Sequence, residues 1–254
     1  MSRSRVRVSW GGMTLRRPEK FNALDIPMLR ALDEALDRAE ANQDVRVVLV
    51  CGEGKGFCGG GDIDAWSSLD PLQFQFDWIR YGHRVFDRLA QLRQPTIAVL
   101  SGHALGGGLE LATACDFRVA EPHVKLGFPE TSLGVVPGWS GTQRAVRRYG
   151  PQTVRRLALG GEIITAAEAL TLGIVDRVAE PGAARATAQE WASQIAARAP
   201  LAVEATKMLI ALAEGEGGAA SAEALASGFV SMTQDVKIGA DAFRNRQKAN
   251  FARS

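Results

Sequence analysis

The chain has 254 residues, 46% hydrophobic and 23% charged, which excludes disordered and fibrous classes. Thirty basic against 28 acidic side chains leave a net charge of +2, so there is no electrostatic case for nucleic acid or a membrane surface as partner. Glycine is the one excess, 27 residues where usual composition gives about 18. No apolar run reaches the ~18 residues of a membrane span. The opening MSRSRVRVSW has no apolar core of a secretory leader, and its alternating Arg3, Arg5 and Arg7 read as the outer face of a strand rather than a transit peptide. Cys51, Cys58 and Cys115 form no CxxC pair, and His83, His103 and His123 share no ligand spacing. Buried free thiols, a cytoplasmic setting and no metal are therefore expected.

Residues 6–10 and 13–15 read as strands paired around Gly11-Gly12. Asp25 caps a helix with Pro27 in its first turn, its apolar residues at helical spacing up to Ala39. Residues 45–51 (VRVVLVC) are almost continuously apolar, as in a strand covered on both faces. A glycine-rich turn follows over 52–61, then a long helix marked by Phe76, Ile79, His83, Phe86 and Leu89. Residues 96–101 give a second buried strand, followed by Gly106-Gly107-Gly108 and a helix from about Leu109; 117–120 give a third strand. Thr165-Ala166-Ala167-Glu168 is a capping box, Gly173 ends its helix, and 174–178 form the last expected strand. Beyond Ala183 the periodicity is helical. The alternation of strand, glycine turn and helix makes this an α/β chain, with a body over 1–200 and a helical region over 201–254.

Two glycine clusters carry the chemistry: 56–62 (GFCGGGD) and 102–110 (GHALGGGLE). Each follows a buried strand and precedes a helical segment, which brings bare backbone N–H groups to the positive end of a helix dipole. Two such turns on neighbouring strands can aim their donors at one oxygen. Glu110, in the first turn of an apolar helix, and Glu130, in a Phe-Pro-Glu-Thr loop, are candidate acid and base beside a polarised carbonyl. Taken singly, a helix-dipole role for Glu110 and a turn-capping role for Glu130 explain each residue as well. Gly54-x-Gly56-x-x-Gly59 also matches a dinucleotide fingerprint, the basis of a distant Rossmann-type NAD oxidoreductase alternative; its acidic partner would be Asp77, which sits inside a helical pattern.

The stretches 17–24 (RPEKFNAL), 56–62, 102–110, 128–134, 137–144 (PGWSGTQR) and 242–251 together resemble the crotonase superfamily, and within it the enoyl-CoA hydratases. The resemblance implies a spiral of ββα units with a C-terminal helical trimerisation region, assembled as a homotrimer or dimer of trimers. It implies N–H donors at Gly61 and Gly107, catalytic carboxylates at Glu110 and Glu130, and reversible syn hydration of a 2-enoyl-CoA through a thioester enolate. An isomerase or a specialised hydratase or dehydratase of the same superfamily is the alternative. Coenzyme A would be part of the substrate, with no separate cofactor. Its implied contacts are Lys20, Phe21, Ala23, Leu24, Gly59, Asp62 and Ile63, and near the C-terminus Phe243, Arg246 and Lys248; Phe243 reads equally as core. Trp139 departs from the small residue usual in its motif, and is expected either to shape the acyl pocket or to pack between helices.

Overall fold

The computed structural model describes residues 6–9 and 11–252. Arg3, Arg5 and Trp10, and the side chain of Arg7, lie outside the described residues. Strands β1 (Val6–Ser9) and β2 (Gly12–Leu15) form an antiparallel hairpin. There follow β3 (Val48–Gly52), β4 (Gly56–Cys58), β5 (Thr96–Leu100), β6 (His103–Leu105), β7 (Phe117–Ala120), β8 (Lys125–Gly127), β9 (Ile164–Thr165) and β10 (Arg177–Val178). They make a six-stranded sheet, β1-β2-β3-β5-β7-β10, and a four-stranded sheet, β4-β6-β8-β9. Each of β3, β5 and β7 lies in the large sheet and passes into a short strand of the small one before the next helical segment, giving a repeated ββα turn.

The large sheet is apolar on both faces because both are covered. Val48, Val50, Ala98 and Leu100 face the main core, while Val47, Leu49, Cys51, Ile97 and Val99 pack with Ala184, Ala188 and Trp191 of helix Ala184–Ala196. Helix Ile26–Ala41 buries Leu29, Leu32 and Leu36 and is capped by Asp25, whose carboxylate accepts the Met28 N–H at 2.8 Å. Helix Gly107–Ala114 buries every residue, the signature of an element inside the core. Cys51, Cys58 and Cys115 are buried and free.

Several boundaries differ from the sequence reading. The third strand starts at Val48 rather than Val45, because Val48 donates to the carbonyl of Pro95, which has no N–H with which to extend the ladder. The region 52–61 contains β4, and β6 and β8 lie where no strand is expected; three residues are too few to show a period. Helix Gly107–Ala114 begins two residues ahead of Leu109. The last expected strand shrinks to β10, since the Ile174 and Val175 amides are both taken by the carbonyl of Ala169 at the end of the capped helix Ala166–Thr171.

Two compact units divide between Glu204 and Ala205, within helix Pro200–Ala213. In the second unit, helices Gly218–Ser231 and Gln234–Arg244 bury no residue. Phe229, Met232 and Phe243 are exposed there, Phe243 by 86%, which removes the reading of Phe243 as core within this chain. Among the described residues no helix is long and apolar enough to cross a membrane, and no cluster of His, Cys, Asp or Glu is arranged to hold a metal.

Candidate active site

The site is organised by the small sheet. Strands β4, β6 and β8 run parallel side by side, with Cys58 opposite Ala104 and Leu105 opposite Gly127. Their carboxyl ends therefore release three consecutive segments along one edge, the usual location of a ligand site in parallel sheets. The first carries Gly59, Gly60 and Gly61, the second Gly106, Gly107 and Glu110, the third Glu130 in the turn Pro129–Leu133.

The two glycine turns touch. A Cβ on Gly60 (φ +101°) would stand 3.0 Å from the Leu105 carbonyl and 3.4 Å from the Gly107 nitrogen, and one on Gly107 would stand 3.4 Å from the Gly61 nitrogen. Gly61 forms a parallel bridge with Leu24 in which Leu24 donates to Gly60 O at 2.8 Å and accepts from Asp62 N at 2.7 Å. The N–H of Gly61 takes no part in that bridge. The N–H of Gly107 opens a helix, where no preceding turn supplies an acceptor.

Both predicted carboxylates are buried in this edge. Glu110, 3% exposed, accepts the backbone N–H groups of Trp139 and Gly141 on Oε1 at 2.7 and 2.8 Å. Burial, and secondly the charge of Glu130, push its pKa up to about 8 against the pull of those N–H donors. Glu130 is buried with neither carboxylate oxygen bonded to another residue, and Oε1 lies against Gly106. Burial pushes its pKa up to about 7. The pair therefore holds a proton near neutral pH, the condition for one carboxyl to act as acid while the other acts as base.

A cavity of about 110 Å³ joins these groups, lined by Gly60, Gly61, Gly106, Gly107, Glu110 and Glu130 together with Ile63, Trp66, Phe74, Trp78, Leu133, Val135 and Trp139. Trp139 both borders this cavity and packs into the wall behind it. It packs against Trp78 and Phe86, with ring centres 5.0 and 5.3 Å away, and its ring also stands where a Cβ on Gly107 would reach. Its indole N–H donates to the Trp78 carbonyl at 3.3 Å. The backbone around Trp78, Phe74–Arg80, is widened into a π-helical turn, a departure frequently found at functional sites.

The segment 17–24 is tied to the first glycine turn. Gly59 donates to the Phe21 carbonyl at 2.9 Å. Asn22, fully buried at φ +55°, donates to the carbonyls of Glu53 and Gly56 and accepts the Arg17 N–H. The Arg17 guanidinium is 2.6 Å from Asp62, holding that carboxyl below its usual range although burial pushes the other way. Asp62 thus faces Arg17 and caps the short helix Ile63–Trp66. Lys20 is exposed and paired with Asp64 at 2.6 Å, Phe21 is 61% exposed, and half-buried Ala23 donates to the Lys20 carbonyl and accepts from Arg17 next to buried Leu24. Phe243, Arg246 and Lys248 belong to the second unit. Sequence reasoning gave no role to Asn22, Arg17, Gly141 or Trp78. The first two lie inside the RPEKFNAL stretch, where a buried polar contact leaves no periodic trace, and Gly141 lies in PGWSGTQR.

The profile of the Enoyl-CoA hydratase/isomerase family matches residues 8–254. The chain belongs to this family. It is 35% identical over 244 residues to a crotonyl-CoA hydratase of Syntrophomonas wolfei, covering 93% of this chain and 92% of that one. It is 38% identical over 199 residues to a short-chain-enoyl-CoA hydratase of Clostridium acetobutylicum, covering 78% and 76%. Its fold is similar to the crystal structure of an enoyl-CoA hydratase from Bacillus anthracis, with a TM-score of 0.81 at 30% identity over 97% and 98% of the two chains. Family membership leaves no place for the dinucleotide reading. Gly54 and Gly59 flank β4 and Gly56 opens it within the hydratase-like spiral, and Asp77 lies in the π-helical turn.

Proposed function

We propose that the protein is an enoyl-CoA hydratase that adds water across the double bond of a short 2-enoyl-CoA, and catalyses the reverse. The observation that carries this reading is the presence of two buried carboxyl groups beside two adjacent N–H-bearing glycine turns in one cavity. Isomerisation of a double bond needs one such group; adding a hydroxyl to one carbon and a proton to its neighbour employs both.

In this mechanism the thioester oxygen sits between the N–H groups of Gly61 and Gly107. Water loses a proton to Glu110 as its oxygen bonds to C3. Electrons of the double bond move onto the thioester oxygen as an enolate, and C2 then takes a proton from Glu130. The proton on Glu110 returns to Glu130 through water, restoring one carboxylate and one carboxylic acid. The resemblance gives the base role to Glu110 and the acid role to Glu130. Although burial raises Glu110 to about 8 and Glu130 to about 7, the reaction needs the one shared proton on Glu130, and the two N–H donors on Glu110 Oε1 are what stabilise Glu110 in that form. Removing a single donor from an oxyanion hole costs about 10²–10³ in rate.

The similar proteins named for crotonyl-CoA and for short-chain enoyl-CoA favour a short acyl group. Phe21, Ala23 and Leu24 lie where the pantetheine arm would pass, and Ile63 at the cavity rim; coenzyme A enters as part of the substrate, and the reaction needs no separate cofactor. Lys20 supplies a cation for its phosphates; the resemblance gives the same role to Arg246 and Lys248, which in some relatives come from the neighbouring subunit. The exposed apolar side chains of helices Gly218–Ser231 and Gln234–Arg244 fit a homotrimer or a dimer of trimers. Free buried thiols fit the reducing cytoplasm, and acyl-thioester chemistry fits fatty acid metabolism.

Purified protein with crotonyl-CoA should lower the conjugated thioester absorbance towards its equilibrium value near neutral pH. Glu110→Gln and Glu130→Gln should each lose at least ~10² in kcat while keeping the wild-type circular dichroism. A wild-type protein that leaves crotonyl-CoA and longer enoyl-CoAs untouched overturns the proposal.

A further inference from the structure

Ser140 has φ +74°, a left-handed conformation that a residue with a side chain seldom adopts. It stands between Trp139 and Gly141, the two residues whose N–H groups converge on Glu110. Its hydroxyl, in a residue only 5% exposed, donates to Asp87 Oδ1 at 3.2 Å and lies 3.2 Å from His83 Nε2. Asp87 Oδ1 also accepts from Arg144 Nη2 at 2.7 Å, and Asp87 Oδ2 is 3.2 Å from His83 Nε2. Gln143 Nε2 is 3.3 Å from both the hydroxyl and His83 Nε2. His83 and Asp87 belong to helix Tyr81–Gln91, Gln143 and Arg144 to helix Gly141–Tyr149, so the cluster clamps the turn between two helices.

A hydrolytic triad would need the two ring nitrogens of His83 to face Ser140 and Asp87 separately. Here the hydroxyl lies 3.2 Å from Nε2 and 3.4 Å from Nδ1, against the ring edge between them, and donates to Asp87 directly, so the ring is not interposed between hydroxyl and carboxylate. The cluster has a different use. We propose that Ser140, Asp87 and Arg144 are positioning residues that hold the 139–141 turn in its left-handed form, so that both of its N–H groups stay on Glu110. This inference rests on the assignment of Glu110 as the base. A turn released from Asp87 would relax towards ordinary backbone angles and swing one or both N–H groups away. Glu110 would lose the donors that favour its charged form while keeping the burial that opposes it.

The test uses Ser140→Ala, Ser140→Gly and Asp87→Asn in the full chain. Ser140→Ala keeps the unfavourable angle and loses the tie; Ser140→Gly loses the tie but adopts the angle freely. With crotonyl-CoA, Ser140→Ala and Asp87→Asn are expected to lower kcat about tenfold, with KM within twofold, and to move the acidic limb of the pH–kcat profile to higher pH; about tenfold is what a modest misplacement of a catalytic group costs. Ser140→Gly should recover most of the loss. The apparent pKa of Glu110, followed by carboxyl ¹³C NMR, should rise in Ser140→Ala and return in Ser140→Gly. Should Ser140→Ala not fold, Asp87→Asn reads the same contact from its other side. A lowered Tm with kcat, pH profile and the Glu110 titration unchanged would overturn the proposal. So would a Ser140→Gly variant as impaired as Ser140→Ala. The NMR titration is independent of turnover, so an inactive wild type would count against the hydratase assignment and leave this inference still decidable.

Discussion

Gly141 and Glu110 compete for one volume: a Cβ on Gly141 would fall 2.5 Å from Glu110 Oε1 and 2.6 Å from its Cγ. The glycine is therefore the seat of the carboxylate. Gly141→Ala is expected to push Glu110 out of its place between the Trp139 and Gly141 amides. A displacement of about 1 Å costs about 10² in rate, so kcat should fall by about that factor while KM for crotonyl-CoA changes little. Steady-state kinetics beside a circular dichroism spectrum checks this.

The buried acids make the protein less stable as pH rises. Glu110 and Glu130 are raised in the folded state to about 8 and about 7, from 4.5 when unfolded. Between those limits the native chain keeps protons that the unfolded chain has released, so stability is fullest below about 4.5 and declines as pH climbs through 7 to 8. Glu110→Gln and Glu130→Gln should therefore raise Tm at pH 8 by about 2 °C or more, with a smaller gain at pH 5. Thermal unfolding at the two pH values reads the difference; equal gains at both would contradict it.

Trp139 is expected to set the depth of the acyl pocket. Its ring lies between the second glycine turn and the Trp78–Phe86 wall. Trp139→Ala should raise the ratio of kcat/KM for a C10 over a C4 enoyl-CoA by about tenfold or more, the scale on which a few methylenes are discriminated. It should also cost about 3–5 kcal/mol of stability, measured by urea unfolding. An unchanged ratio would restrict Trp139 to packing.

Arg17 is the tie between the substrate-side segment and the first glycine turn. It pairs with Asp62 at 2.6 Å, both side chains being largely buried, and donates to the Ala23 carbonyl at 3.1 Å. Arg17→Met leaves Asp62 buried without its cation, which costs about 3–5 kcal/mol. The loosened Leu24–Gly61 bridge should raise KM for the CoA thioester more than it lowers kcat. Urea unfolding and steady-state kinetics on one preparation test both halves.

The sequence made most of the large sheet visible, because β3 and β5 are buried runs rich in β-branched residues and bounded by turns. Asp25, Thr165 and Gly173 announced helix ends through local chemistry, and each acts as expected. The small sheet was illegible: its three-residue strands owe their existence to neighbours contributed by distant segments. That sheet is nevertheless what aligns Gly61, Gly107, Glu110 and Glu130, so these residues could be named from their motifs while the reason for their meeting could not. The pairing of Asp62 with Arg17 could not be read, because the two are 45 positions apart in sequence and no spacing rule connects them. The pull of Asp87 on Ser140 was hidden for the same reason.

The widened turn at Phe74–Arg80 gives this wall of the cavity its own adjustment screw. Removing one residue there, for instance Gln75, would return the backbone to ordinary α-helical winding. Each residue of such a helix advances by about 100°, so Phe74 would rotate by about that angle relative to Trp78 and Ile79. The strand ends that carry the two glutamates would stay where they are. Length variation confined to this one turn is thus a route to new acyl preferences that leaves the proton-transfer apparatus intact.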